Sequence, residues 1–585
     1  MKPLLSALND IPEYRSLLAA IDGGACPAAL SGLSAVHRAH FAAGIRQETG
    51  RPVVVVCADE GEAERMARDL AALSGEEVRT LSAREFTFHN AAVVSRQYEH
   101  RRLSVLRALA AGECPLLVCT AEAVLQRTLP KALLEGASRV LRMGESHDLN
   151  QLAETLTAAG YTRCEQVEGA GQFALRGGIL DFFSPSQAKP VRVEFFGDEI
   201  DAMGLFDPDT QRRVENIGTA EILPAAEVLP QLSPGGFAGL VELLDGVISR
   251  AKRRKGSDKL LTTLAEDREK LASGLTFPAM DRYMALIYPQ MATAADYFPD
   301  DAVVVLSESP RVAERGKNYL WQLTEDAKTL MERGELAGEL AEFARTFEEL
   351  AEVLEAWPVC YLDSFTSSQY PRRPRTLLNL LAKQLPSYGA SLETAVSDLA
   401  HYVSDGFRTV VLVGSEQRAL NLQALLREQG RKTAVDFQLH DLPAHGQAVI
   451  AVGGLTAGME YPVGRLAVLT EGQSILGKKR KSKPVTNRQK LDSYADLSPG
   501  DLVVHEHHGV GRFLEMTKMT VDGVEKDYVK IAYAGADVLY VPATQLDLVS
   551  KYIGSGEDAN ETKKLSKLGG TDWEKAKTRA KKAVK

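Results

Sequence analysis

The feature that most constrains this chain is a series of short, uninterrupted apolar runs, each followed by a stretch with helical periodicity. Val53–Cys57 (VVVVC), residues 116–119 (LLVC) and residues 303–306 (VVVL) are clear examples. A strand reads as a continuous apolar run when both of its faces are covered, as in a parallel sheet between layers of helices. The pattern predicts α/β structure over residues 1–140 and 216–350.

A similar pattern recurs later in the chain. Apolar runs at residues 409–413, 448–452 and 466–469 predict a further α/β unit over residues 357–472. With 585 residues, the chain exceeds what one hydrophobic core usually supports, so three to five domains are expected.

Residues 141–215 have a different character. Short aromatic and β-branched runs alternate there with the turn signals Gly177-Gly178 and Ser184-Pro185. This pattern predicts a small antiparallel β-rich insertion.

The C-terminal part changes pattern again. Residues 473–495 hold the basic run GKKRKSK and read as a linker, with a nonspecific phosphate contact as the alternative. Residues 496–553 alternate like strands and predict a β-rich module. Residues 554–585 predict a linker and a lysine-rich helix that stops in mid-pattern, so the chain is expected to be a truncated part of a longer protein.

Composition excludes several classes of protein. The net charge of −9 argues against a chain built wholly for nucleic acid. The six cysteines lack CxxC spacing, so neither structural zinc nor a disulfide framework is expected, and a reducing cytoplasm is the predicted setting. The longest apolar runs are too short to span a bilayer, so no membrane contact is expected.

A phosphate-binding loop is missing where the first α/β unit would carry one. Residues 32–38 (GLSAVHR) lie between an early strand and a helix, but His37 and Arg38 stand where the lysine of GxxxxGK[ST] and its neighbour would be sought. Since backbone amides, lysine and a hydroxyl must together hold phosphate and Mg²⁺, no bound nucleotide, metal or other cofactor is predicted.

Two other segments imitate known sites. Residues 472–478 (GQSILGK) match GxxxxGK, but Lys479 replaces the hydroxyl residue and Pro484 follows closely, so a linker is the preferred interpretation. Residues 505–508 (HEHH) lack the HExxH spacing of metalloproteases, and strand alternation places His508 opposite His505. No catalytic residues are predicted.

The β-rich insertion holds the residues with the clearest potential for binding. Strand alternation places the adjacent Phe195 and Phe196 on opposite faces, so one of them can meet solvent or a partner near Arg176 and Arg192. Arginine beside an exposed aromatic is typical of an interface. The alternative is that Arg192 pairs with Glu194 and both phenylalanines are buried.

The same residues carry a family resemblance. Residues 173–181 (FALRGGILD) and 191–201 (VRVEFFGDEID) resemble the UvrB-homology region of the bacterial transcription-repair coupling factors. Residues 497–505 (LSPGDLVVH) and 508–513 (HGVGRF) resemble the RNA-polymerase-interacting domain that this family shares with the CarD regulators. The resemblance covers essentially the whole chain and identifies it with the N-terminal half of the family.

The resemblance implies a multidomain α/β architecture. A degenerate helicase-like domain would comprise residues 1–140 and 216–350, interrupted by a UvrA-binding insertion at 141–215. An α/β domain of unclear role and a small CarD/Tudor-like β-barrel would follow. UvrA would bind Arg176, Arg192 and Phe196. The β subunit of RNA polymerase would bind a barrel edge strand marked by Val529, Ile531 and Tyr533.

The implied function is that of an adaptor between stalled RNA polymerase and nucleotide excision repair. The complete family member is a DNA translocase, and its ATP- and Mg²⁺-dependent motor would follow residues 554–585, outside this chain. The chain itself is therefore predicted not to be an enzyme. The alternative is a UvrB-type ATP-dependent DNA-unwinding protein, which the missing phosphate loop disfavours.

Overall fold

The predicted apolar runs form strands of a seven-stranded parallel sheet, here called the central sheet. In the computed structural model, the described residues are 1–88, 96–253, 257–389, 392–472, 488–490, 500–505, 508–521, 524–535, 537–542 and 549–552. They fall into two units: residues 1–83 with 99–477, and residues 84–98 with 478–585. The order of strands in the central sheet is Thr376–Asn379, Ala28–Ser31, Val359–Leu362, Val303–Ser307, Val53–Cys57, Leu116–Thr120 and Val78–Leu81.

The membership of the central sheet corrects one predicted boundary. Val359–Leu362 lies between Ala28–Ser31 and Val303–Ser307, and Thr376–Asn379 pairs with the other side of Ala28–Ser31. The prediction that the second α/β domain begins at residue 357 is therefore wrong. These two strands complete the first sheet because they provide the partners that Ala28–Ser31 needs on both sides.

The β-rich insertion forms a six-stranded sheet, here called the insertion sheet. Its order is Arg213–Asn216, Glu199–Phe206, Val191–Phe196, Ile179–Phe182, Gln172–Arg176 and Thr162–Arg163. All neighbours are antiparallel except the last pair. One face packs on the helix Leu149–Ala158 through an apolar cluster that includes Leu156, Phe173 and Val193. A two-stranded sheet of Arg139–Arg142 and Thr219–Ile222 lies where the chain enters and leaves.

A second α/β sheet follows the central sheet in the chain. Its order is Lys383–Leu385, Gly458–Tyr461, Leu466–Thr470, Arg408–Val413, Ala448–Val452 and Ala434–Val435. The last four strands of this order are parallel, and the first two pair antiparallel. The helices Leu392–Ser404 and Glu416–Glu428 cover one face of this sheet.

Helices fill the layers between and around these sheets. The described helices are Lys2–Ser6, Pro12–Asp22, Ala35–Thr49, Glu60–Ser74, Gln97–Ala110, Ala121–Leu125, Lys131–Ala137, Leu149–Ala158, Gly236–Ala251, Asp258–Ala272, Met284–Ile287, Ser309–Glu332, Phe347–Leu354, Leu392–Ser404 and Glu416–Glu428. None of the helices in the described part of the chain is long and apolar enough to cross a membrane.

The second unit contains a six-stranded antiparallel sheet, here called the barrel sheet. Its order is Arg488–Lys490, Val549–Tyr552, Leu502–His505, Gly509–Val521, Val524–Ala532 and Val538–Pro542. Arg488–Lys490 falls inside the predicted linker 473–495, so that prediction is wrong for these three residues. The predicted tail 554–585 and the basic run at 477–483 lie outside the described residues.

Candidate functional site

Strand Val191–Phe196 presents two different faces. Val191 and Val193 are fully buried and Phe195 packs against the same apolar cluster, whereas Phe196 is 83% exposed. The predicted alternation of the two phenylalanines is confirmed, because successive side chains of a strand point to opposite faces of the sheet. An aromatic side chain this exposed is uncommon on a surface without a partner.

The Gly177-Gly178 turn places Arg176 next to this strand. Gly177 has a φ of +58°, which favours glycine, and a Cβ on Gly178 would lie 3.0 Å from the carbonyl oxygen of Phe195. The amide of Phe195 also donates to the carbonyl of Gly178 over 2.8 Å. The tight approach brings the end of strand Gln172–Arg176 close to the exposed face of Val191–Phe196.

A buried carboxylate joins the two predicted arginines. Nε and Nη2 of Arg192 donate to the two oxygens of Asp181 over 2.7 and 2.8 Å, and Nη2 of Arg176 donates to Oδ2 over 2.7 Å. This carboxylate raises the pKa of the Arg192 guanidinium above its usual value. Arg192 also lies over the ring of Phe206 at 4.6 Å from its centroid.

The alternative pairing of Arg192 with Glu194 is wrong. Glu194 accepts from Nη2 of Arg213 over 2.5 Å instead, and Arg192 lies directly opposite Asp181 in the neighbouring strand. Sequence reasoning missed Asp181, although a carboxylate in the apolar run ILDF was a signal that a buried cation would be needed. Arg176, Asp181, Arg192, Arg213 and Phe196 form what we call the insertion face.

The residues predicted to mark the polymerase contact lie elsewhere than expected. Val529, Ile531 and Tyr533 are buried in the core of the barrel sheet, together with Val503, Phe513 and Val541. Strand Val524–Ala532 has a partner strand on each side and is not an edge. The expectation that these side chains mark an exposed edge strand is therefore wrong, because their alternation marks the face that packs on the core.

The strand order places open edges at other positions. Gly509–Val521 pairs with Leu502–His505 only over residues 509–512, while its other side pairs with Val524–Ala532. In the described part of the barrel sheet, residues 515–521 therefore have one side without a partner strand. Both end strands of the described sheet are open on their outer side as well: Arg488–Lys490 has three residues, and Val538–Pro542 has five and ends in a proline that has no N–H.

The segment 32–38, which lacks the phosphate-loop motif, ends in a buried arginine. Arg38 is buried, and its guanidinium reaches Glu308 Oε1 over 2.5 Å, Glu62 Oε1 over 3.4 Å and Ser307 Oγ over 2.9 Å. Gly32 has a φ of +92°, and a Cβ there would lie 1.8 Å from the carbonyl oxygen of Leu380. Protein groups thus occupy the space beside the carboxyl ends of the central strands, where open α/β sheets usually bind ligands.

The histidine of this loop is held in its neutral form. His37 Nδ1 lies 2.6 Å from Ser34 Oγ, and burial lowers the pKa of His37 to about 3. On the same helix, His40 lies between Leu4 O and Tyr461 OH at 2.9 Å each, and burial lowers its pKa to about 4. Both histidines belong to the packing between the first helices and the second α/β sheet.

The structure describes one of the two motif-like segments, residues 505–508, more fully than the other, residues 472–478. The rings of His505 and His508 have centroids 4.7 Å apart, so their predicted placement on opposite faces is wrong, since strand Leu502–His505 ends at His505. Within the described residues, no group of three or more His, Cys, Asp or Glu side chains is placed to hold a metal ion. Residues 473–478 of the GQSILGK segment lie outside the described residues.

Comparisons with known proteins find family matches in the two regions that hold the insertion face and the barrel sheet. A family model described as the UvrB interaction domain matches residues 140–227, which include the insertion face. A second, described as the CarD-like/TRCF RID domain, matches residues 497–553 in the barrel sheet. Similarity also extends along the chain to a transcription-repair-coupling factor from Bacillus subtilis (strain 168), with 28% identity over 592 residues.

Along its whole length, the chain is similar to transcription-repair-coupling factors. The Bacillus alignment covers 100% of this chain and 50% of the relative. A relative from Staphylococcus aureus (strain MRSA252) is 29% identical, over 95% of the chain and 47% of the relative. One from Staphylococcus haemolyticus (strain JCSC1435) is 32% identical, over 84% and 42%. The chain thus spans about half the length of these transcription-repair-coupling factors.

Proposed function

We propose that this chain is the adaptor portion of a cytoplasmic transcription-repair-coupling factor that links stalled RNA polymerase to nucleotide excision repair. The observation that carries the proposal is that one chain matches both a UvrB interaction domain and a CarD-like/TRCF RID domain. Two interaction modules in separate parts of a chain can hold two partners at once.

The insertion face recruits UvrA in this proposal. Phe196 supplies exposed apolar area, and Arg176, with a side chain 51% exposed, supplies a guanidinium for a carboxylate of the partner. A central aromatic with neighbouring arginines is the composition of an interface hot spot. This supports assigning UvrA binding to the surface that Arg176, Arg192 and Phe196 form together, with Arg176 and Phe196 as its exposed members.

The barrel sheet docks on the β subunit of RNA polymerase by adding a strand to an open edge. Among the open edges of the described barrel sheet, that of residues 515–521 is longer than the end strands Val538–Pro542 and Arg488–Lys490, and it lacks proline. Since β-addition gains affinity from consecutive main-chain hydrogen bonds, the longer edge is the better template. We therefore assign the contact to residues 515–521 in place of Val529, Ile531 and Tyr533.

This chain does not use ATP in the proposed function. The phosphate position beside residues 32–38 holds the Arg38 side chain, which two carboxylates neutralise. The other half of a complete transcription-repair-coupling factor would supply an ATP- and Mg²⁺-dependent DNA translocase that moves the polymerase. The UvrB-type unwinding protein remains disfavoured, since its activity requires an open phosphate loop.

The two contacts can be tested separately. Calorimetry with purified UvrA and with the polymerase β subunit should give binding to each by the wild-type chain. Phe196→Ala should weaken only the UvrA contact, and a substitution on residues 515–521 should weaken only the polymerase contact. Absence of binding to both partners by the folded wild-type chain would contradict the proposed function.

A further inference from the structure

Asp181 has an unusual position in the insertion face. It lies in strand Ile179–Phe182, opposite Ala174 on one side and Arg192 on the other. Its side chain is only 1% exposed, yet its two oxygens accept three hydrogen bonds from two guanidinium groups. A buried carboxylate of this kind is retained in a fold only when its cations are held in good geometry.

The two arginines on this carboxylate differ in what they leave for a partner. Arg192 directs Nε and Nη2 to Asp181 and Nη1 to the carbonyl of Gln211 over 3.2 Å, and its side chain is 18% exposed. Arg176 has a single ion pair among the described residues, through Nη2, and is half exposed. Arg192 therefore faces inward, whereas Arg176 keeps the Nε and Nη1 donors for an outside acceptor.

We propose that Asp181 is a positioning residue, which holds the guanidinium of Arg176 for a carboxylate of the partner. Arg192 fixes Asp181 from the neighbouring strand and acts through it, whereas Arg176 and Phe196 make the contact itself. This inference rests on the proposed function of the insertion face. Anchoring by a buried carboxylate restricts a long side chain in advance and so lowers the entropy lost on binding.

The direction in which Asp181→Asn changes the affinity for UvrA distinguishes a positioning role from a purely electrostatic one. Asp181→Asn removes a negative charge from beneath a positive face, so charge alone would strengthen binding to an acidic partner. Loss of positioning would instead weaken binding, since Arg176 would no longer be held toward the partner carboxylate. We expect Asp181→Asn to weaken UvrA binding about tenfold or more, within the range for residues that organise a charged contact.

A double-mutant cycle gives the decisive measurement. Affinity for UvrA is measured by calorimetry for the wild-type chain, Asp181→Asn, Arg176→Ala and the double variant, with thermal unfolding as the folding control. If Asp181 acts through Arg176, Asp181→Asn should weaken binding by less than about threefold in the Arg176→Ala background. Glu194→Gln is the matched control, because it removes a carboxylate of the same face that pairs with Arg213 instead.

The other outcomes are equally clear. Tighter or unchanged UvrA binding by Asp181→Asn overturns the inference, and so does a full tenfold loss of affinity in the Arg176→Ala background. In both cases, binding of UvrA by the wild-type chain still supports the proposed function. No binding by the wild-type chain contradicts the proposed function itself. If Asp181→Asn fails to fold, Arg192→Ala replaces it in the same cycle. If the losses of UvrA affinity caused by Arg192→Ala and Arg176→Ala are then fully additive, Arg192 contacts the partner directly. This result also overturns the inference.

Discussion

Arg38 Nη1 lies 2.5 Å from Glu308 Oε1, at the end of the segment 32–38 in which the phosphate-loop motif is missing. The same guanidinium reaches Glu62, which is buried too. An internal ion-pair cluster therefore lies at this end of the central sheet. A cluster of this kind stabilises a fold only while all its members are present.

Removal of Arg38 should destabilise the first unit strongly. Arg38→Ala removes the buried cation that pairs with the buried Glu62 and the partly buried Glu308, which costs about 3–5 kcal/mol of unfolding free energy. Urea unfolding followed by circular dichroism measures the change. Arg250→Ala is the control, because this exposed arginine pairs with Glu339 at the surface and should cost less than about 1 kcal/mol. Equal effects of the two variants would contradict the role of the cluster.

The chain should neither bind ATP tightly nor hydrolyse it. Arg38 occupies the degenerate loop, and Lys479 replaces the Mg²⁺-binding hydroxyl residue in the GQSILGK segment. Fluorescent-nucleotide titration and a steady-state ATPase assay measure both properties. Turnover above background that disappears in Lys478→Ala would mean that the second segment is a working phosphate loop.

The polymerase contact should depend on the open edge of residues 515–521. Alternate residues of a strand direct their N–H groups to opposite sides, so either Lys518→Pro or Met519→Pro removes a donor from that edge. One of the two should weaken binding to the β subunit about tenfold or more with the barrel still folded. Val538→Pro, on the open edge of the end strand Val538–Pro542, is the matched control. If only Val538→Pro weakens binding, the contact lies on strand Val538–Pro542.

Substitutions in the barrel core should behave differently. Ile531→Arg places a charge in a fully buried position, so we expect it to unfold the barrel sheet and not to remove a surface contact alone. Thermal unfolding and circular dichroism test this directly. A folded Ile531→Arg variant that has lost only polymerase binding would restore the original assignment of this strand.

The buried His40 should make stability depend on pH. An unfolded histidine takes up a proton near its ordinary pKa of 6.5, whereas burial lowers the pKa of His40 to about 4 in the folded chain. The contribution of neutral His40 is therefore fully present above pH 6.5 and is lost as the pH falls toward 4. Wild-type stability should fall more steeply than that of His40→Gln across this window. Parallel pH profiles of the two proteins would contradict the assignment.

The pH dependence of stability must be compared between wild type and His40→Gln because other buried groups also titrate in this range. Burial raises the pKa of Asp69 and of Asp363 to about 6, so their contributions are present below pH 4 and are lost as the pH rises toward 6. This trend opposes that of His40 in the total stability. Both aspartates are present in wild type and in His40→Gln, so their effects largely cancel in the comparison.

The sequence was most informative where local pattern determines structure. Continuous apolar runs identified Val53–Cys57 and two further strands of the central sheet, and strand alternation identified Phe196 as the exposed member of its pair. These properties depend only on neighbouring residues along a strand. They require no knowledge of which strands become partners.

Properties that depend on strand order could not be predicted in this way. Val359–Leu362 joins the central sheet by pairing with Ala28–Ser31, which lies far away in the chain. Asp181 contacts Arg192 only because their two strands pair in one particular register. The alternation of Val529 and Ile531 was equally compatible with an edge strand and with an interior strand. Only the two neighbouring strands of the barrel sheet decide between these positions.

The exposed aromatic of the insertion face should matter for binding and not for folding. Because Phe196 is exposed, Phe196→Ala should leave the unfolding temperature nearly unchanged. As a hot-spot residue it should weaken UvrA binding by roughly 2 kcal/mol, about thirtyfold. A lowered unfolding temperature with unchanged affinity would place Phe196 in the packing of the sheet instead.

The central claim is that one chain holds both partners at once. The most direct test immobilises the polymerase β subunit, saturates it with this chain and then adds UvrA in a surface-binding measurement. We predict an additional response from UvrA that needs about thirtyfold more UvrA with Phe196→Ala, while the chain stays bound to the polymerase subunit. Displacement of the chain by UvrA, or the same response from UvrA without the chain, would contradict the account.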